Sequence, residues 1–518
     1  MKELAFTIKS GFNTYDLVHS PDGWDDTVLN VERSTKFMGI VRTYAIQLKF
    51  VLEGATLLRE KFYNKVPDDV QLIVKKLNRI SLQYEEVFIG LFDFSTFADT
   101  DHFVEISIID NSFANLVKRN LDKEYTVSFV SAENFYHIYQ SNPVKPTKYV
   151  HFFRILRNLL DMAVEGRLNS GEFILDDSVI VTSSDIKRVI TNSTALQGGD
   201  FTTINISLKD LFQCLYVLFK VVPSFQIIDG VQTMTLKTIN QNFPVDVAME
   251  LLQVKDFKLS IAKEFLFDSI AIGYPDQDGE TLEKSEFGFT SKYSNKSSMI
   301  VNNELDLTIK LRADISGIKE FSEQYGYPDD SINEPFVMVI RYDDGLNKYI
   351  VDENWVAHIY AIWQNAPNVR ITPKRLLLEH EEFINSSFYG LDQEGMMSVY
   401  FLSGPGLIRQ IGTKLLDSTA DEQVEGIGFV RTKSPLFLPV VFDFEAILPD
   451  TITYNGISYP FTFNYLSIPE LLRMSFDYDG TTYNGFLLSM KANVTGRKNK
   501  AIVRLLASPS TDLSKLIR

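Results

Sequence analysis

The sequence holds a single cysteine, Cys214, in 518 residues. That count excludes intramolecular disulfides and zinc sites built on cysteines, so the chain must fold without covalent staples. No apolar run reaches the ~18 residues of a membrane-spanning helix. The most apolar stretch, Leu208 to Ile228, is broken by Lys209, Asp210, Lys220 and Pro223. The opening Met1-Lys2-Glu3-Leu4-Ala5-Phe6-Thr7 lacks the basic segment and apolar core of a secretion signal. A soluble chain with no transmembrane segment is expected. Basic residues are outnumbered, 51 Lys and Arg against 67 Asp and Glu. The resulting charge of -16 opposes retention of nucleic acid through its phosphates, and the one basic cluster, Arg497, Lys498 and Lys500, is too small to reverse it.

Active-site patterns are missing too. His380-Glu381 begins a zinc-protease helix, but Ile384 stands where the second imidazole must share the helix face. The histidines (His19, His102, His137, His151, His358 and His380) have no metal-ligand spacing and read as surface or satisfied core residues. In Gly404-Pro405-Gly406 the third glycine of a dinucleotide loop is replaced by Arg409. Pro460 spoils Gly456-Ile457-Ser458-Tyr459 as a nucleophile elbow, and Ser184-Asp185-Ile186-Lys187 has Ser-x-x-Lys spacing without its companion motifs. Aligning Gly279 with the glycine of a calcium-binding EF-hand puts Tyr274 and Ser285 at the outer ligand positions, both unsuitable. A looser cation site on Asp276 and Asp278 stays open, but an acidic turn explains them better. The paired aspartates Asp25-Asp26, Asp68-Asp69, Asp176-Asp177, Asp329-Asp330 and Asp343-Asp344 fit solvated turns better than glycosidase carboxylates. No catalytic residue, metal site or cofactor is assigned, and the chain is expected not to be an enzyme.

What the sequence has in quantity is aromatic: 39 Phe and 23 Tyr, residues that favour half-buried strands. Asn455-Gly456, Asp479-Gly480, Asp344-Gly345 and Asp229-Gly230 each lie between β-branched or aromatic segments, the signature of hairpin turns. Ser207 to Val222 has a cap residue and apolar positions at helical spacing, with Cys214 beside the stripe. Phe152, Leu156, Leu159, Leu160 and Ala163 mark a second helix, Ser467-Ile468-Pro469-Glu470 a capping box before a third, and Pro373 to Tyr389 a fourth. The fold class is therefore a β-rich α+β chain, with several antiparallel barrel- or sandwich-like domains and a few short helices. Asn142-Pro143-Val144-Lys145-Pro146 reads as a linker. The expected division is 1–142, 147–240, 241–389 and 390–518, the last carrying two of the hairpins.

Four passages carry a family resemblance. They are Ser20-Pro21-Asp22-Gly23-Trp24-Asp25-Asp26 with Val31-Glu32-Arg33 and Gly39-Ile40; Phe267-Asp268-Ser269-Ile270-Ala271-Ile272-Gly273-Tyr274-Pro275-Asp276-Gln277-Asp278; Arg370-Ile371-Thr372-Pro373-Lys374-Arg375; and Tyr483-Asn484-Gly485-Phe486-Leu487-Leu488 with Ile502-Val503-Arg504-Leu505-Leu506. In this order they resemble large tail proteins of phages and prophages of Bacteroidetes, associated with the tail tip or baseplate. The resemblance implies a virion structural subunit, made in the host cytoplasm. It would join the tail tube to the adsorption or penetration apparatus and pair with other tail proteins. It also implies a homo-oligomeric ring of three or six copies, which would cover open sheet edges. Two alternatives stand beside it. A receptor- or carbohydrate-binding tail protein would use exposed aromatics, with Trp24 the best candidate and Trp355 and Trp363 better read as core. A cell-wall hydrolase would need the catalytic groups that were sought above.

Overall fold

At Asp479-Gly480 the turn chemistry sets the local fold. Both residues take positive φ, 50° and 74°, as a two-residue primed turn requires. They join Arg473–Tyr478 to Thr481–Asn493 with Tyr478 opposite Thr481. Between Thr451–Tyr454 and Ile457–Pro460 the register likewise leaves two residues between Tyr454 and Ile457, and Gly456 takes φ 76°. Strand register also leaves two residues between Ile228 and Val231. At Asp344-Gly345 the outcome differs: Asp343 pairs with Lys348, the loop has four residues, and Asn347 takes the left-handed conformation.

The computed structural model describes residues 3–511 except 25–27, 34–38, 44, 65–69, 78–81, 129–132, 140–141, 177, 179–185, 193–194, 196–202, 229–230, 268, 274–290, 296–302, 314–334, 353–375, 377–378, 388–396, 403–407, 412–434, 455, 464–465, 467 and 494–499. The fold is mostly antiparallel sheet, with barrels and a few short helices. A six-stranded sheet occupies the N-terminal region, in the order Asn13–Asp16, Leu4–Ser10, Val70–Leu77, Tyr84–Asp99, Phe103–Asp110, Ala45–Val51. A seven-stranded sheet draws on distant parts of the chain: Val28–Arg33 and Ile40–Thr43, then Met249–Ile261, then four strands after residue 439.

The helices follow their apolar periodicity. Phe152–Ala163 buries Phe152, Ile155, Leu156, Leu159, Leu160 and Ala163, one stripe at 3.6-residue spacing. Leu208–Phe219 starts at a capping box in which Ser207 and Asp210 satisfy each other's backbone N–H. It ends three residues before Val222, because Lys220 turns left-handed and Val221 begins a strand. Cys214 is wholly buried in this helix, where burial pushes its thiol pKa up.

Three local expectations are corrected. Asn142–Pro146 is not a linker but the first half of the strand Asn142–His151. Its prolines fall where that strand pairs on one side only, its second neighbour joining at Val150, the kind of strand position that tolerates proline. The capping box before Leu471 yields a single 3₁₀ turn, Pro469–Leu471, because strand pairing resumes at Arg473. Trp24 is not a surface residue. It is 2% exposed, edge-on to Phe6 at 5.5 Å and 6.0 Å from Phe88. Paired backbone hydrogen bonds between Asp22 and Lys49 fold its turn onto the sheet, and burying an aromatic ring contributes about 1.5–3 kcal/mol.

The helix Leu52–Tyr63 holds the preceding loop through Glu53, whose carboxylate accepts from the His19 N–H at 2.6 Å and contacts the His19 ring at 2.8 Å. The His19 backbone hydrogen bond, foremost, holds the Glu53 pKa at about 2. A depressed carboxylate pKa means that the clamp is intact above about pH 4.3 and is lost as pH falls towards 2. Measured as protection relative to the intrinsic rate at each pH, the His19 amide should therefore be protected at pH 5 and lose that protection near pH 2 or in Glu53→Ala; equal protection factors under all three conditions would exclude the clamp. Gly456→Val should destabilise the hairpin by about 1–2 kcal/mol, because a β-branched residue resists positive φ. An unshifted melting temperature would contradict that.

Candidate functional site

Two groups of five strands close on themselves, and they do so by the same pairing scheme. The first is a barrel of Glu133–Tyr139, Asn142–His151, Ile186–Asn192, Pro335–Asp343 and Lys348–Val351. Four neighbouring pairs are antiparallel. The closing pair, Tyr136 with Ile350, is parallel, because five alternating strands leave the first and last running the same way. Tyr149, Val189, Phe336, Met338 and Ile340 fill it. Lys187 stands beside Tyr149 Oη at 3.3 Å, its ammonium 3.9 Å from the centre of the Tyr349 ring.

The second ring lies within the seven-stranded sheet: Met249–Ile261, Val440–Ile447, Lys500–Ala507, Thr481–Asn493 and Arg473–Tyr478. Arg473–Tyr478 returns antiparallel along Thr481–Asn493 and parallel along Met249–Ile261, which closes the circle. Phe442, Phe444, Phe476 and Tyr483 pack inside, with Phe444 and Phe476 at 4.3 Å and Phe476 and Tyr483 at 5.4 Å. Closure needs curvature, which extra residues supply. Met249–Ile261 carries two successive bulges, with Gln253 and Asp256 left-handed. Thr481–Asn493 carries one between Leu487 and Ser489.

The outer face of this ring carries a charge ladder, because directly paired residues share a face. One row runs Lys258, Asp443, Arg504, Ser489, Glu32; the next runs Lys255, Glu445, Ile502, Lys491, Asn30. Arg504 meets Asp443 at 2.9 Å and Glu264 at 3.7 Å, and Lys118 meets Glu32 at 2.8 Å. Between the rings one core joins outward residues of both. Ile190, Val337 and Val339 of the first and Val441, Phe486 and Leu506 of the second belong to it, together with the buried faces of the helices Phe152–Ala163 and Leu208–Phe219. Arg33 is almost wholly buried, donates to the Leu487 carbonyl at 3.1 Å and lies 4.7 Å over Phe243. Burial pulls its pKa down to about 9.

A cleft of about 410 Å³ opens beside the start of Leu208–Phe219, lined among others by Lys209, Phe212, Glu264, Glu304, Asp306 and Lys310. Its cations are committed to carboxylates. Lys310 meets Glu124 at 2.9 Å and Asp210 at 3.5 Å, and Lys209 meets Asp122 at 3.3 Å. Burial pulls the Lys310 pKa down, but Glu124 and Asp210 outweigh it and hold it above its ordinary value. These are structural ion pairs.

The sequence candidates do not converge. His380 is a core residue whose Nε2 lies 2.9 Å from the Val217 carbonyl oxygen, and His19 belongs to the Glu53 clamp. Asp276, Asp278, Trp355, Trp363, Ser184, His358, Gly404–Gly406 and the basic residues Arg497 and Lys498 lie outside the described residues, as do Asp25-Asp26, Asp68-Asp69 and Asp329-Asp330. Among the described residues no three His, Cys, Asp or Glu side chains are grouped to hold a metal ion. No described helix is long and apolar enough to cross a membrane. Sequence reasoning missed both ring closures, because pairing between residues hundreds of positions apart leaves no local pattern.

No protein-family model matches the chain, and no curated protein matches it. Solved structures of similar shape include prophage tail protein gp18 from Listeria monocytogenes EGD-e, at 10% identity and TM-score 0.36 over 99% of this chain and 97% of that one. They include the 43 kDa tail protein of prophage MuSo2 from Shewanella oneidensis, at 10% identity and TM-score 0.36 over 98% and 100%. A tail protein from Neisseria meningitidis MC58 aligns at 7% identity and TM-score 0.36 over 98% and 97%. At that level of likeness the role of this chain rests on its own residues.

Gly485 marks the point where the second ring closes. It pairs with Met474 on one side and Ala507 on the other, and an added Cβ would sit 2.8 Å from Leu505 Cβ and 2.9 Å from the Leu506 carbonyl oxygen. Gly485→Ala should cost about 1–3 kcal/mol through overpacking against backbone. A chemical-denaturation midpoint equal to that of the parent chain would show that the closure tolerates slack.

Proposed function

We propose that the chain is a structural subunit of a phage tail tip, a hub or distal tail component joining the tail tube to the adsorption or penetration apparatus. The observation that carries this reading is the pair of closed, side-chain-filled rings fused through one core. Such a body holds a shape and offers surfaces; among the described residues, side chains fill both barrels. Any passage for DNA would then run between copies arranged as a ring of three or six, with other tail proteins above and below. The sequence resemblance to tail-tip proteins supports the same reading. Burial of Trp24 removes the best candidate for the receptor-binding alternative.

The charge ladder fits a wall that DNA slides past. Each Lys or Arg that meets a phosphate adds affinity by releasing counterions, whereas on this face Arg504, Lys255 and Lys258 stand opposite Asp443 or Glu445. The placement is tested by electron microscopy of particles labelled with an antibody against the chain. Label at the tail tip is expected, and label confined to the capsid or absent from particles would overturn the reading. The purified chain should also leave duplex DNA unshifted in a gel at physiological salt. Tight, salt-sensitive retention would contradict a passive wall.

A further inference from the structure

The two edges of the six-stranded sheet are finished differently. At the Ala45–Val51 edge, the backbone N–H of Lys49 donates to Asp22 at 2.9 Å and its carbonyl accepts from Asp22 at 2.8 Å, which closes that edge. Among the described residues the Asn13–Asp16 edge has no such cover. The hairpin register sets Ser10 opposite Asn13 and Ile8 opposite Tyr15, and the Leu17 N–H donates to Phe6 at 2.8 Å. In an antiparallel pair hydrogen-bonded and non-bonded positions alternate, so Ser10–Asn13 and Ile8–Tyr15 are the bonded pairs. Thr14 and Asp16 therefore turn their backbone N–H and C=O groups outward, and among the described residues nothing bonds to them. All four strand residues are exposed. No proline, lysine or bulge blunts the edge; only its four-residue length and the charge of Asp16 oppose pairing. Apolar side chains line it: Phe12 at the turn is fully exposed (106%), Val18 is 66% exposed and Tyr15 38%.

We propose that this edge pairs antiparallel with the same edge of a second copy, about a two-fold axis at Tyr15, making one continuous sheet of the two. The self-complementary register decides the occupant. With the axis at Tyr15, Thr14 of each copy exchanges backbone hydrogen bonds with Asp16 of the other, both outward-facing residues. The Thr14 hydroxyl meets the Asp16 carboxylate, the two Tyr15 rings stand opposite each other, and Phe12 comes alongside Val18. Moving the axis to Asp16 opposes two carboxylates, and moving it to Thr14 sets Phe12 against a carboxylate; both are unfavourable. Such a contact is isologous and stops at two copies. It goes beyond the tail-tip reading and does not depend on it, since it joins free subunits, or two rings face to face. A four-residue strand falls short of the ~1,200 Å² of a stable interface, so the pairing is weak and concentration-dependent.

Tyr15→Cys provides the test. Its thiol would be the only accessible one, because Cys214 is wholly buried. Residues facing each other at a non-hydrogen-bonded position lie ~4.5 Å apart between Cα atoms, inside the range that a disulfide spans. Oxidised glutathione should convert Tyr15→Cys to a covalent dimer about tenfold more readily than Ile502→Cys, an exposed site on the other sheet. Adding Phe12→Asp, at a side chain outside the core, should abolish the difference. Equal yields from the two cysteine variants, or a Tyr15→Cys yield unaffected by Phe12→Asp, would overturn the proposal.

Discussion

The strand Thr481–Asn493 is the element on which the rest depends. Its first half pairs with Arg473–Tyr478, its middle and second half with Lys500–Ala507, and its end with Val28–Arg33. One strand therefore closes the second ring and also ties the N-terminal ribbon to the C-terminal region. Alternation along this strand lets consecutive residues serve two cores, with Leu487 in one and Phe486 and Leu488 in the other. Arg33 reinforces the joint from the N-terminal side by donating to Leu487 across the same interface. Removing a partner from so buried a bond leaves an unsatisfied carbonyl, at ~1–3 kcal/mol.

This construction accounts for how a chain without disulfides holds its shape. Long-range strand pairing and aromatic packing replace covalent staples, with buried rings such as Phe442, Phe444 and Phe476 supplying the filling. The same economy explains the chemistry of its ionisable groups. Those perturbed most plainly have structural causes: the His19 loop for Glu53, burial outweighed by Glu124 and Asp210 for Lys310, and burial for Arg33. None of these arrangements brings together a nucleophile, a base and space for a substrate.

Local rules made much of the fold legible. Asp479-Gly480 and Asn455-Gly456 announce their hairpins because only a few residues accept positive φ. Ser207 with Asp210 announces a helix start, and the stripe from Phe152 to Ala163 announces a buried face. The failures have physical causes as well. Pro143 and Pro146 look like linker residues, yet a strand paired on one side tolerates missing donors. Trp24 beside Pro21-Asp22-Gly23 looks exposed, but the turn is bound back to Lys49 and carries the indole inward. Leu471 and Leu472 follow a capping-box sequence pattern, yet strand pairing from Arg473 leaves a single 3₁₀ turn, Pro469–Leu471. The ring closures are invisible for a different reason: Met249 meets Met474, and Val28 meets Asn493, through contacts that no window of sequence contains.

If Thr481–Asn493 unites the fold, its amides and those of Val28–Arg33 must open together. Native-state hydrogen exchange measures this directly, since cooperative units share one opening free energy. The amides joining Val28–Arg33 to Thr481–Asn493 should exchange at the same slow, denaturant-sensitive rate as those joining Thr481–Asn493 to Lys500–Ala507. Exchange of Val28–Arg33 many times faster, and insensitive to denaturant, would show that the N-terminal ribbon is only loosely attached and would contradict the account.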